Sequence, residues 1–180
     1  GYLFNNSIAG NVTIADDASY TGGFNTSVRN NTITGNSSFS NNGFNSFLEG
    51  DVTGAGNTYT GNVSFNAAGG PMYISHIDAL QCSSNLTINR TAAGFTQAFN
   101  AGATINGNFS YTNNTTGGTF FGNVVNKTSI GGTVTILANY TTPNEFELYH
   151  MVNQTAGGLI DVQNSMGFDV RIDTLKLSSF

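Results

Sequence analysis

Tryptophan is missing from this chain, cysteine occurs once, proline twice, and only 8% of its residues carry a charge. Each shortage closes off a class of protein. A single cysteine, Cys82, forbids an internal disulfide framework, and no Cys/His cluster has zinc spacing. Two prolines suit long runs of β-structure better than a loop-rich fold. Five basic against ten acidic residues leave a net charge of −5 and no basic face for nucleic acid. No apolar run approaches the ~18 residues of a spanning helix, so no membrane span is expected in this segment. No basic-then-apolar leader opens the chain, and nothing in it implies a cofactor.

Asn, Thr, Ser and 23 Gly take the place of the missing charges. Low charge combined with low apolar content would mean disorder. Here 38% of residues are hydrophobic, 14 Phe and 7 Tyr among them, which argues for an ordered core. A chain of 180 residues can bury such a core within one domain.

A five-residue phrase returns seven times: Gly10-Asn11-Val12-Thr13-Ile14, then copies with their second position at Asn36, Asn62, Asn85, Asn108, Thr133 and Leu159. The steps are 25, 26, 23, 23, 25 and 26 residues, a repeat architecture. Within each copy apolar and small polar residues alternate, so alternate positions share one face of an extended chain. One inward column reads Val12, Ser37, Val63, Leu86, Phe109, Val134, Ile160. A second reads Ile14, Phe39, Phe65, Ile88, Tyr111, Ile136, Val162, and a third Ile8, Ile33, Tyr59, Cys82, Ile105, Ile130, Ala156. Outward lie the marker row Asn11, Asn36, Asn62, Asn85, Asn108 and the row Thr13, Ser38, Ser64, Thr87, Ser110, Thr135, Asp161. The Gly before each marker reads as a bend, or as a place where two backbones come too close for a side chain. A further inward row is expected at Met72, Phe95, Phe120 and Phe146, with Ile74, Phe99, Val124 and Leu148 as companions.

Each such unit cannot cover its own apolar face, so the next must cover it. The expected fold is all-β: a single-stranded parallel β-helix (β-solenoid) of about seven coils of 23–26 residues. The crossover rule makes it right-handed, and stacking makes it a rod on the order of 30–35 Å long. Residues 1–180 read as one β-helix domain, a stretch of a longer rod that begins partway through a repeat. The charged, strictly alternating tail within 163–180 reads as a cap, a junction, or the last coil meeting solvent.

Stacked identical amides suggest a hydrogen-bonded Asn ladder, with a sugar-gripping stripe as the functional alternative. Many of these Asn match the N-glycosylation pattern, but inside strands, which leaves Asn114, Asn126 and Asn153 as open positions. Thr32-Ile33-Thr34 and Thr58-Tyr59-Thr60 suggest an ice-binding array, but Gln81-Cys82-Ser83 and Ser129-Ile130-Gly131 break it. Close acidic pairs are Asp16 with Asp17, Glu49 with Asp51, and Glu145 with Glu147, all flanking turns. His76 near Asp78 and His150 near Glu147 are candidate proton-transfer pairs, read more simply as strand rims. Cys82 falls in an inward column and reads as core. No catalytic, metal or cofactor residues are assigned.

Phrases such as Asn57-Thr58-Tyr59-Thr60-Gly61-Asn62-Val63-Ser64-Phe65 and Ala103-Thr104-Ile105-Asn106-Gly107-Asn108-Phe109-Ser110-Tyr111 resemble the β-strand repeats of very large surface or secreted proteins of Bacteroidetes. Asp173-Thr174-Leu175 is similar to the O-glycosylation acceptor of that phylum. The likeness departs at Leu159, where the marker Asn is lost. It implies an extracellular or cell-surface, adhesin-like structural module without catalysis. The implied partners are surface glycans, other cell-surface proteins, or further copies side by side or end to end. A carbohydrate-active β-helix enzyme or tail-spike-like glycan-binding module is the alternative, and an ice-binding β-solenoid the third reading.

Overall fold

The computed structural model describes residues 1–19, 25–43, 45–54, 56–140, 145–153, 158–164 and 170–176. Every strand pairing among them is parallel, and they contain no helix. The chain is a parallel β-solenoid of about six turns. One turn shows the plan: Met72–Ile74 lies on the first face, Leu80–Cys82 on the second, and Leu86–Arg90 on the third. Each strand pairs with its counterparts in the coils before and after. The third face is a seven-stranded sheet of its own, running from Val12–Ala15 to Gly158–Asn164. The first two faces join where Phe146–Asn153 runs unbroken across both. Within the tail, Val170–Lys176 pairs in parallel with Phe146–Asn153, so the winding continues there.

Register explains the core. Val63, Leu86 and Phe109 pair directly and are at most 2% exposed, and Phe65, Ile88 and Tyr111 stack beside them fully buried. Phe39 stacks on Phe65 with ring centroids 5.3 Å apart, and Phe99 on Phe121 at 6.0 Å. Such offset pairs add to the burial of apolar area. Val12 and Ile14, in the first coil, are only partly covered. Cys82 is buried between Tyr59 and Ile105, its thiol 3.4 Å from the Ser84 carbonyl.

A left-handed residue in each coil begins the corner between the first and second faces: Asn5, Asn30, Gly50, Ser75, Phe99, Gly122 and His150, with φ between 47° and 72°. Gly54 and Gly102 add a second left-handed residue in two coils. Asn tolerates that region and Gly enters it freely, whereas Phe99 is strained there and is held by its buried ring. The marker Gly column serves a different purpose. A Cβ on Gly107 would lie 2.6 Å from the Ser84 carbonyl carbon, so the backbones of successive coils touch there.

Two expected registers are corrected. In the seventh coil Gly158 pairs with Val134 and Ile160 with Ile136, so that copy sits two residues earlier than the pattern placed it. Ile160 therefore pairs in line with Ile14–Ile136 rather than with Val12–Val134, and Asn153 pairs with Ile130, while Ala156 lies outside the described residues. Leu159 pairs with Thr135 on the outside and is 54% exposed. A slip of two residues keeps every side chain on its face, so alternation alone could not fix the frame. On the first face, Thr96 and Thr119 hold the inward places between Met72 and Phe146, while Phe95 and Phe120 lie outside and half-buried. Ala98 and Phe121 pair in line with Ile74 and Leu148, and Val124 is exposed. The buried threonines are affordable because Thr96 accepts from Arg90 and Thr119 bonds the Tyr111 hydroxyl.

Candidate functional site

Alternation turns the marker residues of the third face outward, and the parallel register sets them above one another. The side-chain Oδ1 of Asn11 accepts the backbone N–H of Asn36 at 2.9 Å, and that of Asn36 accepts Asn62 N–H at 3.0 Å. The series continues through Asn85 and Asn108 and ends when Asn108 Oδ1 accepts the Thr133 N–H. The ladder thus runs from amide oxygen to backbone rather than only amide to amide; Asn85 Nδ2 to Asn62 Oδ1, at 3.0 Å, is the amide–amide rung. The geometry leaves the Nδ2 groups of Asn11, Asn36 and Asn62 without a partner among the described residues.

Two positions along each strand lies the hydroxyl row. Thr13, Ser38, Ser64 and Thr87 pair in register, and their hydroxyls bond no described residue. Between the two rows the side chains of Val12, Ser37 and Val63 point inward, so the floor is backbone. The result is an open trough of about 330 Å³ lined by Asn11, Asn36, Asn62, Thr13, Ser38, Ser64 and Thr87 above that floor. No charged side chain lines it.

Asp16, Asp17, Glu49, Asp51 and Asp78 each bond a different set of neighbours. Asp17 accepts from the N–H and hydroxyl of Ser19, which hold its carboxyl below the usual range. Asp16 accepts from the Thr26 hydroxyl. Asp51 takes the Ser27 hydroxyl at 2.8 Å and lies 3.8 Å from the Arg29 guanidinium at the surface. Its neighbour Glu49 points the other way, fully buried in a column otherwise filled by Val28 and Ile74. Asn57 Nδ2 donates to Glu49 Oε1 at 2.6 Å and the Ser75 N–H to Oε2 at 2.7 Å. Tyr59 stands beside it, its hydroxyl without an ordinary hydrogen bond. Burial pushes the Glu49 carboxyl up to about 7 against those two donors. This interior carboxyl is the residue whose face sequence reasoning left unassigned. Its period-two phase with Phe47 was the available signal.

Asp78 bonds the N–H of Ala79, and His76 packs on the Tyr73 ring at 4.8 Å. His150 occupies a left-handed corner. Thr32 pairs with Thr58, while Ile33 and Tyr59 between the threonines are buried. Asn153 is buried and Asn126 donates to the Asn100 carbonyl, whereas Asn114 is exposed. Among the described residues no three His, Cys, Asp or Glu side chains gather as a metal site, and no helix is long and apolar enough to cross a membrane.

Comparison of the chain with profiles of known protein families, with characterised proteins and with solved structures finds no match. Function must therefore be argued from the solenoid and its surfaces. Fold by itself assigns none.

Proposed function

We propose that this chain is a stretch of an extracellular β-helical stalk, a structural and adhesive module akin to the surface repeat proteins of Bacteroidetes, and not a catalyst. The observation that carries this reading is where the rare ionisable groups go. Asp17 closes a turn, Asp51 faces Arg29, Glu49 is buried on two donors, and Asp78 bonds its neighbour. Each is engaged locally, and the side chains repeated from coil to coil on the outside are amides and hydroxyls. Repetition of that kind suits a spacer whose surface is the same at every height.

Incubating the intact chain with a panel of polysaccharides tests it. No new reducing ends and no unsaturated products are expected. Sugar release that disappears on Asp51→Asn or Glu147→Gln would replace the stalk with a carbohydrate-active enzyme.

A further inference from the structure

We propose that the trough on the third face binds a neutral, linear polysaccharide strand laid parallel to the solenoid axis. This rests on the reading of the chain as an adhesive stalk and names what the stalk grips. Three features of the trough select the ligand.

The first is charge. Its lining holds seven polar side chains, none ionisable, in a chain of net charge −5. Nucleic acid and other polyanions find no cation there, and a cationic ligand finds no carboxylate. The second is polarity of the donors. Asn11, Asn36 and Asn62 present unpaired amide N–H groups along one wall, and Thr13, Ser38, Ser64 and Thr87 present unpaired hydroxyls along the other. A ligand rich in hydroxyl and ether oxygens answers both walls, accepting from the amides and exchanging bonds with the hydroxyls. No aromatic or exposed aliphatic anchor lines the trough, which disfavours a protein partner.

The third is period. The ladder bonds hold successive amides one coil apart, and parallel strands repeat about every 4.8 Å. Four coils line the trough, so its walls repeat over about 14 Å. A linear chain of equatorially 1,4-linked hexoses advances by a similar length per unit and, because it turns over at each unit, places the same oxygens against every second rung. Ice also repeats, but a lattice plane needs a flat face. Here two ridges flank a backbone floor, and Ser38 and Ser64 lack the methyl groups that Thr13 and Thr87 carry.

Hydrogen bonds alone, at about 1 kcal/mol net each, give weak binding that grows with ligand length. The test is titration of the intact, isotope-labelled chain with cellohexaose and cellobiose, following the side-chain amide signals by NMR. We expect millimolar binding of the hexaose, shifts centred on Asn11, Asn36 and Asn62, and affinity at least roughly tenfold weaker for the disaccharide. The double variant Ser38→Ala, Ser64→Ala removes two outward hydroxyls without touching the core, and should weaken the hexaose at least roughly fivefold. Unmoved amide signals at millimolar sugar, equal affinity for the double variant, or thermal hysteresis without sugar binding each overturn the proposal. An unchanged far-ultraviolet spectrum in those cases leaves the stalk reading standing, because it depends on the stack and not on the trough.

Discussion

At the scale of single residues, the acidic and basic side chains buried among the described residues are Glu49 and Arg90, and both bear on stability. Glu49 ionises against burial, so its folded pKa stands at about 7 against an ordinary value of 4.5. A raised folded value favours the folded state while the group is protonated. Its contribution is complete below about pH 4.5 and is lost as pH rises through about 7, a change of about 3 kcal/mol. Asp51 adds to the rise by repulsion, while Asn57 and Ser75 oppose it. Urea midpoints should therefore fall between about pH 5 and about pH 8, and Glu49→Gln should flatten that profile. A wild-type midpoint that rises over this range would refute the assignment. Arg90 is the opposite case, a buried cation with no carboxylate partner among the described residues. Its guanidinium donates to Thr96 Oγ1 at 2.8 Å, to the carbonyls of Phe95 at 2.7 Å and Ala92 at 3.1 Å, and to Gly70 at 3.2 Å. It pins the corner between the third and first faces, as Asn41 and Asn113 do in other coils. Arg90→Met should cost about 3 kcal/mol or more, because those carbonyls lose their donor in a dry site. Arg90→Lys should restore little, since one ammonium cannot span the same fan of acceptors. Denaturant titration of both variants decides this.

At the scale of the strand, alternation governs what can change. Ile88 is fully buried between Phe65 and Tyr111, and Thr87 beside it faces out. Ile88→Asp should abolish cooperative unfolding by burying an unpaired charge, while Thr87→Asp should stay within about 0.5 kcal/mol of the parent. Equal damage from the two would reverse the faces. The same alternation decided what was legible in the sequence. Columns such as Val63–Leu86–Phe109 could be read because six consecutive coils repeat one phrase in one phase. Phe120-Phe121 offered two aromatic residues to opposite faces, and which one turned inward depended on Thr119 being satisfied by Tyr111, a contact across the corner between the third and first faces. Glu49 was given no face for a related reason: a carboxylate in an inward phase makes sense only once Asn57 of its own turn and Ser75 of the next are brought to it. The hydroxyl and amide rows were visible as polar positions. That they bound a trough follows only from stacking.

At the scale of the whole molecule, the solenoid is held by contacts between successive coils, and its stability is a sum over coils and the interfaces between them. Leu86 pairs with Phe109 and Asn89 with Thr112, so a turn is also the unit of register. Excising residues 86–108 would join Asn85 to Phe109 and set Phe109 on Val63, Tyr111 on Phe65 and Asn113 on Ala67. Every inward column would then continue without a change of face, and the amide ladder would lose one rung and close again. The shortened chain should fold cooperatively, with a denaturant m-value lower by roughly an eighth, in proportion to the residues removed. Removing only residues 86–97 should behave differently, because it cuts a turn midway and brings Ala98 of the first face and the left-handed corner residues Phe99 and Gly102 into the third sheet. That chain should lose its β-sheet circular dichroism. Folding of the half-turn deletion alongside failure of the full-turn deletion would mean that something other than stacked register holds the solenoid together.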